Sequence, residues 1–227
     1  MFPIASGLPT VTTEQMIEVD RIMVRDLSID LPRMMETAGR SLAALAIDLV
    51  SPTSVTVLAG SGGNGGGALV AARHLANRGV AVFVTPTRMA AHMSPVAAQQ
   101  AEILERMGIP MQAAPRDADL IVDGLIGYSL SGPPRGRALE LIEWSNGRRT
   151  FSLDVPSGVD STSGAVPGAA VRAEATMTLA LPKTGIVGHP NAGRLFLADI
   201  SVPPSVYSAF DLALETPFRD GQIVEIG

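Results

Sequence analysis

The feature that most constrains the fold is an alternation of short apolar segments with longer amphipathic segments, which begins after Pro52. The apolar segments predict strands, because each is too short for a helix and is bounded by glycine, proline or polar residues. We expect strands at 55–59, 80–84, 120–123, 151–155, 176–181 and 195–200, and helices at 68–77, 95–107 and 138–144. Strands joined by helices form βαβ units, so the sequence predicts an α/β domain with a mostly parallel sheet.

Two further helices are predicted before this alternation. Thr12 and Gln15 have the spacing of a capping box, which predicts a helix over 13–27. Pro32 suits a first helical turn and an apolar stripe follows it, so a second helix is expected over about 32–49. At the other end, Asp220-Gly221 lies between short apolar runs and predicts a hairpin.

Composition and charge limit the partners. Hydrophobic residues make up 46% of the 227 residues and charged residues 17%, as in a folded domain, and we interpret residues 1–227 as one domain. The net charge of −5 provides no broad positive field for nucleic acid, and Arg135 and Arg137 are too small a basic group to provide one.

Cysteine usage and hydropathy bear on the compartment. The chain has no cysteine, no apolar run of membrane-spanning length and no signal-peptide pattern. We therefore expect a cytoplasmic protein that binds no membrane. The sequence leaves the oligomeric state open, a homodimer included.

Three polar or glycine-rich loops follow predicted strands, at 60–67, 123–133 and 154–168. Ligands of parallel sheets bind beyond the carboxyl ends of the strands, so neighbouring strands would bring these loops to one crevice. Gly60, Gly62 and Gly65 have the G-x-G-x-x-G spacing, and backbone amides of such a loop hold phosphate. The loop predicts a nucleotide-type ligand, and the alternative is a flexible turn without one.

Two aspartates end buried strands, where a carboxylate is costly unless it is paired or lies at a site. We expect Asp123 to belong to the site, and Asp154 to bind the ligand rather than to support the fold. Oxygens of Asn64, Asp123 and Ser157 have the chemistry to share one hard cation. The alternative is that these residues only serve turns, for which Asp, Ser and Gly are well suited.

Several motifs together resemble the NAD(P)H-hydrate epimerase family, the YjeF amino-terminal domain, over about residues 12–203. The motifs are Glu36-Thr37-Ala38-Gly39-Arg40, the glycine-rich segment 60–75, Val122-Asp123, Leu130-Ser131-Gly132-Pro133-Pro134-Arg135, the segment 152–160 and Leu179-Ala180-Leu181-Pro182-Lys183. The resemblance implies a Rossmann-like three-layer αβα sandwich with a mostly parallel central sheet and two amino-terminal helices. A dehydratase domain, which is fused to this one in many bacterial relatives, is not expected within these residues.

The resemblance also implies a function. The activity would be an isomerase reaction in nicotinamide nucleotide repair, which interconverts the R and S epimers of hydrated NADH and NADPH. A potassium ion would be held by Asn64, Asp123 and Ser157. The implied substrate contacts are Asn64, Gly65, Gly66, Gly127, Tyr128, Ser129, Leu130, Ser131, Gly132, Pro133 and Asp154. Asp123 is our candidate catalytic base, because an adjacent cation favours its ionised form.

The sequence departs from the family pattern in its polar residues. Thr37 and Gly63 stand where the family has Asn, Gly67 stands where it has Asp, and Ala68 replaces a usual Gly. The loss of two polar side chains from the nucleotide loop favours an alternative, a binding or scaffold module without turnover. A carboxylate at position 67 would accept hydrogen bonds from the ligand or fix the loop, so we expect Gly63→Asn with Gly67→Asp to strengthen ligand binding. Because Gly67 would precede the helix expected from Ala68, an Asp there should also stabilise the fold as a helix cap.

A serine hydrolase is a second alternative. Ser129, Asp154 and His189 occur in the chain order that α/β-hydrolases use for their triad. However, the segment around Ser129 lacks the final glycine of the nucleophile elbow, and it does not directly follow the strand. The sequence therefore disfavours this reading.

Overall fold

The six apolar segments predicted to be strands all form strands in the computed structural model, which describes residues 2–212 and 214–227. Within those residues the strands are β1 (Ile4–Ala5), β2 (Ser54–Ala59), β3 (Ala81–Pro86), β4 (Leu120–Gly124), β5 (Thr150–Leu153), β6 (Ala175–Leu179), β7 (Arg194–Ala198) and β8 (Ile223–Ile226). They join one sheet in the order β1-β8-β7-β6-β5-β4-β2-β3. All neighbours are parallel except β7 and β8, so the predicted mostly parallel sheet is confirmed.

The helices are α1 (Thr13–Arg21), α2 (Leu31–Val50), α3 (Gly63–Ala76), α4 (Pro95–Arg106), α5 (Gly136–Ser145) and the short α6 (Pro204–Tyr207). The predicted capping box of Thr12 and Gln15 starts α1, and a π-helical turn (Ile22–Asp26) continues it. Asp30 caps α2 by accepting a hydrogen bond from the backbone of Arg33. Both predicted amino-terminal helices are therefore confirmed.

Alternation along the central strands places helices on both faces of the sheet. Val57 and Val122 belong to the apolar core that contains α2, α3 and α4. Leu58 and Ile121, one residue away in each strand, pack with Leu141 of α5 on the opposite face. Because successive strand residues face opposite ways, the fold is the expected three-layer α/β arrangement.

The strand order reverses direction at β2. The chain passes from β2 through α3 to β3 on one side, and β4 then pairs with β2 on the other side. Ligands of open parallel sheets bind at such a switch point. The register opposes Leu58 to Asp123, and Asp123 to Ser152, so the loops that follow β2, β4 and β5 lie side by side.

Helix α3 begins at Gly63, five residues before the predicted start. The glycines are helical because neighbouring backbone packs closely against them. A Cβ on Gly65 would overlap the carbonyl oxygen of Gly60, and a Cβ on Gly39 of α2 would lie 2.5 Å from the carbonyl oxygen of Gly67. Tertiary packing therefore overrides the low helix propensity of glycine.

The predicted hairpin at Asp220-Gly221 is wrong. Strand β8 follows these residues, but its partners are distant in the chain: it pairs antiparallel with β7 and parallel with β1. The two-residue strand β1 was not predicted. Among the described residues, no helix is both long enough and apolar enough to cross a bilayer.

Candidate active site

A cavity of about 280 Å³ opens at the carboxyl ends of the central strands. Helices α1 and α2 form its apolar side with Met16, Met34 and Met35. Its polar groups come from four separate segments, and they are Asp20, Asn64, Tyr128, Ser129 and Asp154. Apolar walls with a few convergent polar groups are typical of a site for a small organic ligand.

Asp154 is the charged group at the strand-end wall of this cavity. It follows β5 with a φ of 69°, a left-handed conformation that Asp tolerates better than most residues. Its Oδ1 contacts the Lys183 ammonium group, and its Oδ2 accepts a hydrogen bond of 3.2 Å from the Tyr128 backbone N–H. Lys183 also donates to the carbonyl oxygen of Leu179 at 2.7 Å.

The buried ion pair bears on the expected role of Asp154. Lys183 is completely buried and Asp154 is 4% exposed. Asp154 therefore balances a charge inside the protein in addition to facing the cavity, because an unpaired ammonium group in this position would be costly. Asp154 thus has a structural contact beside its place on the cavity wall, and its expected role in ligand binding stays a prediction.

Asp20 and Tyr128 form a second polar pair on the cavity wall. The Tyr128 hydroxyl donates a hydrogen bond of 2.6 Å to Asp20 Oδ2. Burial raises the pKa of Asp20, and the hydrogen bond from Tyr128 partly opposes this effect. Burial and the neighbouring Asp20 carboxylate also raise the pKa of the Tyr128 hydroxyl. The Tyr128 hydroxyl therefore keeps its proton at neutral pH and donates it in the hydrogen bond to Asp20.

Asp123 lies behind the cavity and does not line it. Its carboxylate is completely buried and accepts four hydrogen bonds. Oδ1 accepts from the Leu125 backbone (3.1 Å) and the Ser157 hydroxyl (2.6 Å), while Oδ2 accepts from the Ser152 hydroxyl (2.7 Å) and the Ser157 backbone (2.9 Å). Burial raises the pKa of Asp123, and these hydrogen bonds oppose the rise. In this position Asp123 supports the strand ends rather than facing a ligand in the cavity.

The predicted cation ligands Asn64, Asp123 and Ser157 would bind an ion through side-chain oxygen atoms. The partners of the buried Asp123 carboxylate are all neutral groups, so its charge is not balanced by a contacting cation. The Asn64 amide nitrogen is buried without a hydrogen-bond partner among the described residues. With its amide group turned over, Asn64 presents an unpartnered oxygen at the same place. This donor set fits a hard monovalent or divalent cation.

The predicted substrate residues divide into three groups. Asn64, Gly127, Tyr128, Ser129 and Asp154 line the cavity. Gly65 and Gly66 are buried inside α3, where they permit close packing. Within the described residues, the segment 130–133 lies outside the cavity wall and is mostly exposed. Contact of the last two groups with a bound ligand stays a prediction.

The arrangement of a serine hydrolase is contradicted by the positions of its acid and base. His189 Nε2 is 3.0 Å from the carbonyl oxygen of Gly164, and its Nδ1 accepts from the Asn191 backbone at 3.1 Å. Asp154 contacts Lys183 instead. Both ring nitrogens of His189 thus face backbone groups, and the histidine is structural.

A family model described as the YjeF-related protein N-terminus matches residues 31–185. This match covers more than half of the chain and includes Asn64, Asp123, Asp154 and Lys183. The chain belongs to this family. The resemblance found from the sequence motifs is therefore confirmed.

Full-length relatives carry a functional name. The chain is 44% identical to the NAD(P)H-hydrate epimerase of Dehalogenimonas lykanthroporepellens, over 99% of this chain and 96% of the relative. It is 42% identical to the NAD(P)H-hydrate epimerase of Truepera radiovictrix, over 83% and 87%. A crystal structure of the yeast protein ynu0 superposes with a TM-score of 0.81 at 23% identity, over 96% of this chain and 100% of the yeast chain, and supports the fold.

For this YjeF-related domain, sequence reasoning missed two charged residues of the cavity region. Lys183 lies in one of the sequence motifs, and its signal is a lysine shortly after an apolar strand segment, where a buried charge must be paired. Asp20 lies on the predicted amphipathic helix, where a solvent-exposed acid is the ordinary expectation. The contact with Tyr128, 108 residues away, reveals its place in the site.

Proposed function

We propose that this chain is an isomerase that interconverts the R and S epimers of hydrated NADH and NADPH. One observation carries the proposal: relatives that are 42–44% identical and align over most of their own length are named NAD(P)H-hydrate epimerase. The cavity supports it, because a charged carboxylate and a tyrosine–carboxylate pair lie on the wall of an otherwise apolar site.

The reaction requires a group that moves a proton at one oxygen. The hydrate carries a hydroxyl on the ring carbon beside the ring nitrogen. Inverting that carbon proceeds through ring opening or through loss and return of the hydroxyl, and both routes need a proton acceptor or donor there. We assign this role to Asp154 in place of Asp123, because Asp154 lines the cavity and Asp123 does not.

The surrounding residues suit this assignment. Lys183 balances the Asp154 carboxylate, and the Tyr128 backbone N–H orients its second oxygen. In ring opening, the carboxylate accepts the hydroxyl proton, the oxygen forms a carbonyl, and the electron pair of the broken carbon–nitrogen bond goes to the ring nitrogen. Ring closure on the other face re-forms that bond from the nitrogen electron pair, and the carboxylate returns the proton to the oxygen. One side of this site is made apolar by Met16, Met34 and Met35.

We also propose a potassium ion held by Asn64, Asp123 and Ser157. The ion would supply a positive charge beside a carboxylate whose hydrogen-bond partners are all neutral. Such a charge offsets the cost of burying the ionised carboxylate. The residues would thereby fix the ends of β4 and β5, on which the cavity wall is built.

A binding module without turnover is not favoured. The departures at Thr37, Gly63 and Gly67 leave Asp154, Lys183, Asn64 and the Asp20–Tyr128 pair in place. We propose the cytoplasm as the compartment, since the absence of cysteine suits a reducing environment. A homodimer stays a prediction that analytical ultracentrifugation would test.

The test follows the epimers of purified hydrated NADPH by chromatography, starting from the R form. We expect equilibration well above the rate without protein, and loss of at least about a hundredfold in kcat/KM for Asp154→Ala, as for removal of a proton-transfer group. Asp117→Ala is the control, because Asp117 is 84% exposed and lies outside the cavity. No acceleration by the wild-type protein would refute the proposed function.

A further inference from the structure

A second cleft adjoins the active-site cavity. It has a volume of about 550 Å³ and shares Gly63, Asn64, Gly127 and Ser129 with the cavity. These shared residues contribute to the walls of both spaces, so the two lie next to each other. We call the second space the arginine cleft, because its outer wall carries Arg88, Arg135 and Arg137.

The three arginines come from two different loops. Arg88 follows β3, whereas Arg135 and Arg137 lie at the start of α5. Within residues 2–212 and 214–227, neither Arg88 nor Arg135 forms an ion pair, and both are exposed. Arg137 pairs with Glu140 at 2.8 Å.

The cleft is positive in a protein that is negative overall. Its described lining includes three arginines and no Asp or Glu, while the whole chain has a net charge of −5. Like charges gathered at one place repel one another, so two unpaired arginines beside a third are stabilised by an anion. The sequence alone could not show this, because Arg88 is distant from Arg135 and Arg137 along the chain.

Another part of the cleft lining is the amino end of α3. Gly62 caps this helix without a side-chain hydrogen bond, and Ser61, Gly62, Gly63 and Asn64 line the cleft. The first amides of a helix have no partner within the helix and carry a partial positive charge. The lining of the cleft thus combines arginine side chains with the first amides of a helix, a combination that binds phosphate.

The size of the cavity requires a second space. At about 280 Å³ the cavity is at or below the lower end of ligand pockets, which span roughly 300–1,000 Å³. It accommodates part of a dinucleotide and not the whole. The arginine cleft is the adjoining space with the opposite charge character, which suits the phosphate-bearing part.

We propose that Arg88, Arg135 and Arg137 bind phosphate groups of the dinucleotide whose hydrated ring lies in the cavity. This inference rests on the proposed function. The arginines are then specificity-determining residues, and none of them is among the substrate contacts that the resemblance implied. The phosphate has two sources, the bridging pyrophosphate and the 2′-phosphate of hydrated NADPH, and the experiment distinguishes them.

The test compares the wild-type protein with Arg88→Gln, Arg135→Gln and the double variant in epimerase assays. A charge-assisted hydrogen bond at an exposed site should contribute a factor of about three to ten in affinity. We expect KM to rise by that factor for each arginine, with kcat changed less than about twofold, and the wild-type KM to rise with salt. Equal rises for hydrated NADH and NADPH indicate the pyrophosphate, and a rise confined to hydrated NADPH indicates the 2′-phosphate.

A matched control and a second measurement keep the test independent of turnover. Arg106→Gln removes an exposed arginine that pairs with Glu102 on α4, and it should change neither KM nor binding. Isothermal titration with NADP⁺ and NAD⁺ measures binding in the same variants, so it decides the inference even if the wild-type protein shows no epimerase activity. An Arg88→Gln/Arg135→Gln variant with wild-type dinucleotide affinity would overturn the inference.

Discussion

The ammonium group of Lys183 contacts the carboxylate of Asp154, and both side chains are almost completely removed from solvent. The two residues follow adjacent strands, β6 and β5, so the pair joins the strand ends that form the cavity wall. Asp154 faces the cavity, and Lys183 contacts it from the protein interior. Changes at either residue therefore affect stability and function together.

Breaking this pair should destabilise the protein. Lys183→Met leaves the Asp154 carboxylate without its cation, at a cost of about 3–5 kcal/mol, the range for removal of one partner of a buried pair. Asp154→Asn retains an amide oxygen for Lys183 but leaves the buried ammonium group without a counter-charge, so it should also cost about 3–5 kcal/mol. Urea unfolding of the single and double variants measures the coupling. Effects that simply add would show that the contact contributes nothing to stability.

The Asp20–Tyr128 pair predicts a pH dependence of stability. Because the pKa of Asp20 is raised by burial, the folded protein binds a proton that the unfolded chain releases near pH 4. Stability from this group is complete below that pH and falls as pH rises through the higher folded pKa. Tyr128→Phe removes the hydrogen bond that opposes the rise, so the loss extends to higher pH and deepens by about 1 kcal/mol.

The measurement is the free energy of unfolding at several pH values between 4 and 8. Tyr207→Phe is the matched control, because it removes a buried hydroxyl that has no hydrogen-bond partner among the described residues. Asp20→Asn should flatten the dependence that Tyr128→Phe deepens. If Tyr128→Phe and Tyr207→Phe change stability in parallel across this range, the account of Asp20 is wrong.

Asp123→Asn should destabilise the protein although it preserves the shape of the side chain. Each carboxylate oxygen accepts one backbone N–H, from Leu125 or from Ser157, so either orientation of the new amide turns its NH₂ towards a backbone donor. A buried donor without an acceptor costs about 1–3 kcal/mol. Thermal melting measures this loss.

The same variant tests the proposed ion. Wild-type protein should melt at a higher temperature in potassium chloride than in choline chloride, as expected for an ion that binds the folded state. Asp123→Asn should abolish the difference. Ser152→Ala is the control, because it removes one hydrogen bond to the same carboxylate and none of the proposed ligands. An equal potassium effect in all three proteins would remove Asp123 from the ion site.

Restoring the family residues in the glycine-rich segment should have unequal effects. A Cβ on Gly63 would lie 3.6 Å from Met35 Cε, which is an ordinary contact, so Gly63→Asn should be tolerated. A Cβ on Gly67 would lie 2.8 Å from Leu153 Cδ2, so Gly67→Asp should cost about 1–3 kcal/mol through overpacking. Gly67 also lies in the second turn of α3, so a carboxylate there is not the helix cap that the sequence suggested.

Leu153→Val separates crowding from charge at this position. It removes the methyl group that a Cβ on Gly67 would crowd, so Gly67→Asp should lose less stability in the Leu153→Val protein than in the wild type. Gly67→Ala introduces the same crowding without a charge and serves as the comparison. Melting with and without NADP⁺ shows whether the carboxylate helps binding. If the Gly67→Asp variant is as stable as the wild-type protein, the Leu153 side chain moves aside without cost and the expected crowding is absent.

Local pattern was sufficient for the elements that are stabilised locally. Thr12 and Gln15 fixed the start of α1 because a capping box involves residues three apart. The start of α3 was misplaced because its glycines are helical for a tertiary reason, the close approach of Gly60 and α2. Propensity acts within the segment and cannot include such packing.

The site residues show the same difference between features that a local pattern predicts and features that depend on tertiary contacts. Asp154 and Asn64 were found because they end or follow strand segments, and the strand-end rule places such residues at a crevice. The roles of Lys183 and Asp20 depend on contacts with residues 29 and 108 positions away. No local pattern contains those distances, and only the assembled sheet shows which carboxylate lies on the wall and which lies behind it.

Strand β8 is hydrogen-bonded on both sides, to β7 and to the two residues of β1. A two-residue edge exposes few unpaired backbone groups, which limits pairing with another chain. Deleting residues 2–6 would leave Ile223–Ile226, a four-residue strand with β-branched side chains, as the open border of the sheet. The few residues around Ile4 and Ala5 thus cover the edge of β8 and limit aggregation. Their removal should promote aggregation through this edge, which is distant from the ligand site.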